Sequence, residues 1–163
     1  DAAIALAEYM SGDVDSFAAL MNQEAAALGA VQSHFVNPNG LPDENHYTSV
    51  YDLYLIFKEA IKNDAFVSII STRSYDVSYV AADGTAVTHT WENTNQYLSG
   101  HYRTPEGFEI IGGKTGTTGE AGYCLVLYSK NPSGDPIISI VLKADGKSNL
   151  YLLMNEMLEG FAK

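Results

Sequence analysis

Residues 110–122 read Ile110-Ile111-Gly112-Gly113-Lys114-Thr115-Gly116-Thr117-Thr118-Gly119-Glu120-Ala121-Gly122. A glycine-rich run beside Lys-Thr invites comparison with a phosphate loop, but where that motif needs its first Gly, five residues before Gly113, stands Phe108. The run also leads into a second strand-like segment, so no helix N-terminus would meet a phosphate. The Gly-x-Gly-x-x-Gly spacing of a dinucleotide site is absent too. What remains is Lys114-Thr115-Gly116 at the end of a strand over Glu109 to Gly113. Strands follow over Tyr123 to Tyr128 and Pro136 to Leu142, joined by the turn Asn131-Pro132-Ser133-Gly134-Asp135. Their near-continuous apolar runs predict a sheet covered on both faces. The C-terminal stripe Leu150, Leu153, Met154, Met157, Leu158 and Phe161 predicts a helix lying on that sheet.

Upstream, Tyr75 to Val80 and Thr85 to Trp91 alternate around Asp83-Gly84, a hairpin signal. Before about residue 72 the period is helical. Ala2 to Met10 is apolar on every face and reads as a fully buried helix capped by Asp1, ended by Ser11-Gly12. Asp13 caps a second helix carrying Phe17, Leu20, Met21, Ala25 and Leu28, which Gly29 stops. After the turn sequence Asn37 to Pro42, Ser49 and Asp52 resemble a capping box for a helix carrying Leu53, Ile56, Phe57, Ala60 and Ile61. Asp64 is the expected cap of a short fourth helix.

With 9 Lys+Arg against 20 Asp+Glu, the net charge of −11 opposes phosphate backbones and anionic lipids, so nucleic acid is not an expected partner. No apolar run approaches the roughly 20 residues of a membrane-spanning helix. The lone Cys124 excludes an intrachain disulfide and a multi-cysteine metal cluster, and reads as a buried small hydrophobe. His34, His46, His89 and His101 lack the spacing of a helical metal pair, so no metal site is expected; His89 is a candidate for the rim of a cleft. Asp43-Glu44 reads as solvated charge in a polar turn. Asn93 and Asn95 either support a cleft from the segment before the Lys-Thr-Gly strand or serve as ordinary turn residues.

Lys-Thr-Gly is the third motif of the penicillin-recognising serine enzymes. The wording Gly-Gly-Lys-Thr-Gly-Thr-Thr-x-x-Ala-Gly-x-Cys-Leu resembles the D-alanyl-D-alanine carboxypeptidases, the low-molecular-weight penicillin-binding proteins. So do Met21-Asn22 followed by Ala27-Leu28-Gly29, His34-Phe35 with Asn37 to Leu41, the Ser49 to Leu53 helix start, and Asn93-Thr94-Asn95. The resemblance runs along essentially the whole chain. It implies an α/β, β-lactamase/penicillin-binding-protein-like fold, present as one partial transpeptidase-like domain over residues 1–163. Residues 1–72 would be its mainly helical part, and 73–163 its antiparallel sheet and C-terminal helix.

The same resemblance implies a serine-type carboxypeptidase acting on peptidoglycan stem peptides ending in D-Ala-D-Ala, inhibited by β-lactam antibiotics, extracytoplasmic at the cell envelope, and needing no cofactor. Lys114 would be catalytic; Thr115, Gly116 and Thr117 would bind substrate, with the Thr hydroxyls on its terminal carboxylate and Gly116 leaving room for a helix. Two family motifs have no counterpart here. No Ser is followed three residues later by Lys, and Ser129-Lys130-Asn131 matches Ser-x-Asn only after the Lys-Thr-Gly, in the wrong order. Asp1-Ala2-Ala3 reads as the sequence that follows that motif in the family, so the chain is expected to lack the nucleophile, to be inactive alone, and to self-associate through uncovered apolar surface. A class A β-lactamase-like hydrolase and a non-catalytic binding module are the alternative readings.

Overall fold

A computed structural model describes residues 1–160. The helices α1 (Ala2–Ser11), α2 (Val14–Ala27), α3 (Val50–Ala60) and α4 (Asp64–Ser71) come first. The strands β1 (Ser74–Val80), β2 (Ala86–Glu92), β3 (Glu109–Thr118), β4 (Gly122–Lys130) and β5 (Pro136–Ala144) follow, then helix α5 (Lys147–Gly160).

Helix boundaries follow local chemistry. The Asp13 carboxylate accepts the Ser16 N–H at 2.7 Å and starts α2. Its end is a Schellman motif: the Gly29 N–H donates to Ala26 and the Ala30 N–H to Ala25, with Gly29 at φ +82. For α4 the cap is Asn63, whose side chain accepts from Ala65 and Phe66, and Asp64 is the first helical residue. The expectation for Asp64 is thus displaced by one position, because an amide oxygen reaches the first-turn N–H groups as well as a carboxylate does. The α1 expectation is also corrected. Only Ala7 is buried in that helix, Leu6 and Tyr9 are 63% and 90% exposed, and Asp1 makes no side-chain cap bond.

Strands β3, β4 and β5 form an antiparallel sheet in that order. Side chains alternate between faces, so Leu125 and Leu127 turn one way and Val126 the other. On the first face they meet Leu150, Tyr151, Met154 and Leu158 of α5, with Val141 of β5. On the second, Val126 and Ile140 meet Phe57 of α3 and Ile70 of α4. Each such fully buried aliphatic side chain is worth about 1.5–3 kcal/mol. Within α5, Tyr151 is buried while Leu153 is 39% exposed, so the contact stripe is rotated from the expected one; Phe161 lies outside the described residues.

The hairpin β1–β2 pairs over seven positions, from Ser74↔Glu92 to Val80↔Ala86. Its turn places Gly84 at φ +84 beneath an Ala81–Thr85 backbone bond, a three-residue loop closed by a left-handed glycine.

Candidate functional site

Lys114, Thr115, Gly116 and Thr117 sit inside β3 rather than at its end: the strand continues to Thr118, and Lys114 pairs with Val126, Thr115 with Leu125, Gly116 with Cys124 and Thr117 with Tyr123. Both Gly and Thr pair normally, so the motif does not interrupt the ladder. A bulge at Ile111 precedes it. Because β3 is the last strand of its sheet, its other side is an open edge among the described residues.

The two glycines before Lys114 have separate steric causes. A Cβ on Gly112 would stand 2.5 Å from the Ile70 carbonyl oxygen, and one on Gly113 would stand 2.4 Å from that of Val126. Gly112 thus lets the end of α4 press on β3, and Gly113 lets the bulged strand close on β4. Gly116, expected to admit a helix, has nothing within 4 Å of an added Cβ. Its open side faces a cleft.

That cleft, about 890 Å³, is bordered on one side by Thr94 and by Lys114 to Thr118. Met21, Leu53, Phe35, the Asn37 to Leu41 turn, and Lys147 and Tyr151 of α5 also line it. Its lining residues include Lys114, Lys147 and His46 but no Asp or Glu, although acidic residues outnumber basic ones twofold in the chain. The cleft therefore presents local positive charge, suited to an anionic ligand group. The Lys114 ammonium bonds the Thr115 carbonyl.

The loop wall is held by four side chains, those of Asn22, Asp52, His46 and Asn37. Asn22 grips Phe35 at both backbone groups, donating to its carbonyl at 2.7 Å and accepting its N–H at 2.8 Å. Asp52, 1% exposed, accepts from the Gln32 N–H and the Ser33 hydroxyl, each at 2.7 Å. Only half of the expected capping box forms: Ser49 accepts the Asp52 N–H, while the Asp52 carboxylate serves the loop. His46 Nδ1 accepts the Val36 N–H at 3.1 Å, and desolvation holds the imidazole below its ordinary pKa of 6.5. Asn37 closes the Asn-Pro-Asn-Gly turn, accepting from Gly40 and donating to Leu41.

Asn93 and Asn95 brace the segment behind β3. Asn93 donates to the Thr72 carbonyl at 2.8 Å and accepts the Asn95 N–H at 2.9 Å. Asn95 is 0% exposed, accepts the Tyr97 N–H at 3.2 Å, and lays its Nδ2 3.4 Å from where a Gly113 Cβ would be. That Nδ2 has no hydrogen-bond partner among the described residues. Between them, Thr94 brings its hydroxyl to 2.5 Å from that of Thr115. Sequence reasoning singled out the asparagines and passed over Thr94, Lys147 and the 35–41 loop as cleft walls.

His89 lies on β2 beside Trp91 and does not line the cleft. Cys124, expected to be buried, is half-buried and lines it, with its thiol donating to the Ala121 carbonyl at 3.3 Å. Ser129, the serine of the out-of-order Ser-x-Asn, is fully buried in the sheet and has no route to a substrate.

Comparison with known proteins places this geometry among relatives. The sequence profile of the peptidase family S11, D-alanyl-D-alanine carboxypeptidase, matches residues 1–146. The chain is 36% identical over 149 residues to the D-alanyl-D-alanine carboxypeptidase of Streptomyces sp. strain K15, covering 87% of this chain and 49% of that protein. It is 35% identical over 130 residues to DacF of Bacillus subtilis, covering 80% and 31%. The chain thus spans between about a third and about half of these relatives. The Streptomyces K15 DD-transpeptidase structure superposes with a TM-score of 0.77 at 33% identity, over 91% of this chain and 55% of that one. The DacD structure from Francisella tularensis gives 0.80 at 26% identity, over 97% and 47%. The fold is a partial DD-transpeptidase-like one, mixing helices with antiparallel sheet and ending on the sheet-covering helix.

Proposed function

The chain belongs to the D-alanyl-D-alanine carboxypeptidase family, and from that premise we propose that it supplies the Lys-Thr-Gly wall of a serine D-Ala-D-Ala carboxypeptidase acting on peptidoglycan stem peptides. The observation that carries the reading is the open edge of β3 along Lys114 to Thr118, facing a cleft with two lysines and no carboxylate. An extended peptide can pair with such an edge through main-chain hydrogen bonds, which fixes its orientation. Its terminal carboxylate then meets the Thr115 and Thr117 hydroxyls in the field of Lys114. No metal or cofactor enters this reading. The site would work outside the cytoplasm, where the cell wall is assembled, and would accept β-lactams as mimics of the same peptide.

In the reaction, a serine oxygen bonds to the carbonyl carbon of the penultimate D-Ala while a base takes its proton. The C–N bond breaks, the proton passes to the leaving amine, and D-alanine departs; water then hydrolyses the ester. The serine would come from a segment outside these 163 residues, since no Ser-x-x-Lys occurs here. The chain by itself should therefore form no penicilloyl ester. The test is to incubate it with fluorescent penicillin, with and without an upstream fragment ending in Ser-x-Asn, and to read covalent label by intact mass. Label on the fragment only in the presence of this chain supports the reading, and label on this chain alone overturns it. In the completed enzyme, Thr115→Val should cost about 1.5–3 kcal/mol of transition-state binding for a D-Ala-D-Ala peptide, the worth of a hydrogen bond to a charged group.

A further inference from the structure

We propose that Thr94 is a positioning residue that sets the direction of the Thr115 hydroxyl, and through it the preference of the cleft for a carboxylate terminus; this rests on the carboxylate reading of Thr115. A hydroxyl carries one proton and two lone pairs. Across the 2.5 Å between Thr94 Oγ1 and Thr115 Oγ1 only one of the two can donate. Where Thr115 donates, it turns lone pairs toward the ligand and repels an anion. Where Thr94 donates, the Thr115 proton is free for the carboxylate, and the run O–H···O–H···O⁻ polarises both bonds. Neither hydroxyl has another hydrogen-bond partner among the described residues, so an arriving carboxylate selects the second state without breaking anything else.

The placement of Thr94 is built rather than incidental. Asn93 on one side is tied to the Thr72 carbonyl and to the Asn95 N–H, and Asn95 on the other is buried under Gly113. The backbone between two anchored asparagines has little freedom, and Thr is restricted at χ1. Thr115 is held as firmly by its ladder pairing with Leu125. Two fixed backbones thus deliver two hydroxyls to contact at the cleft wall.

The experiment titrates the 163-residue chain with the dipeptide D-Ala-D-Ala and, separately, with its C-terminal amide, reading affinity from amide chemical shifts. Wild type should prefer the acid. Thr94→Val should weaken acid binding about threefold to tenfold, the range of one neutral hydrogen bond, and leave the amide unchanged. Thr94→Ser should restore the acid preference, and Thr94→Val added to Thr115→Val should cost nothing further. Should the valine disturb the fold, Thr94→Ala removes the hydroxyl with less bulk and carries the same expectations. Loss of acid binding in Thr115→Val but not in either Thr94 variant overturns this proposal alone, as does an equal loss for acid and amide or an additive double mutant. A wild-type chain with no acid preference, or one unaltered by Thr115→Val, overturns the carboxylate reading and this proposal with it.

Discussion

The hairpin β1–β2 and the sheet β3–β5 are both antiparallel, yet they are stabilised in different ways. The hairpin has an unbroken register of seven pairs, a turn closed by Gly84, and almost no buried side chain: only Val77 and Val87 are shielded, and Trp91 is 56% exposed. The sheet has two register shifts and glycines at crowded points, but is packed on both faces by α5 and by α3 with α4. Regularity in the first comes from local pairing; irregularity in the second is imposed by neighbours. The Lys-Thr-Gly run lies on the packed, irregular element, where β4 pairs its backbone and Thr94 meets the Thr115 hydroxyl.

The contrast predicts a descending series of effects. Leu127→Ala, which empties a fully buried site between β4 and α5, should cost about 2–5 kcal/mol in chemical denaturation, while Tyr79→Ala on the hairpin should stay within about 0.5 kcal/mol. Equal losses would mean that the hairpin carries core interactions not visible in its exposure. Gly112→Ala drives a Cβ into the Ile70 carbonyl, a backbone atom that cannot rotate aside. About 1–3 kcal/mol is expected, as for overpacking, with penicillin acylation of a completed enzyme reduced in step. Gly84→Ala tests the hairpin at its turn, where φ is positive. Nothing lies within 4 Å of the new methyl, so the cost should be the conformational one of about 1–2 kcal/mol, read as local fraying in hydrogen exchange with global stability little changed.

The smallest effect is a pH dependence in the cleft loop. His46 accepts the Val36 N–H only when Nδ1 is unprotonated, and burial holds its folded pKa below 6.5. As pH falls below 6.5, the unfolded chain takes up a proton before the folded one does. Stability is therefore greatest above 6.5 and declines as pH falls toward the folded value, after which this contribution is constant. Denaturation at pH 8 and pH 5 should show the decline, and His46→Gln should flatten it; an unchanged slope in the variant would assign the dependence to other groups.

Local chemistry was legible in the sequence because it depends on neighbours along the chain. The Asp13 cap, the Gly29 stop, the Asp83-Gly84 turn, the order of the strands and the sheet-covering helix all appear as the spacing predicts. The Lys114 to Thr117 motif was legible as well, since its wording resembles a family. The corrections arise where a partner far along the chain decides. A capping-box carboxylate at Asp52 is drawn instead to Gln32 and Ser33, and the close approach of α4 to β3 falls at Gly112. β3 runs past Lys114 because β4 offers it partners as far as Gly122.

By itself the sequence determined which segments are helix or strand and which family the chain resembles, since both follow from residue type, wording and short-range period. Only the tertiary structure decided that Thr94 meets Thr115, that Lys147 and the 35–41 loop complete the cleft, and that α1 keeps Tyr9 exposed. Those outcomes depend on which surfaces of distant segments come to face each other, a matter of packing and steric exclusion that no local pattern of residues encodes.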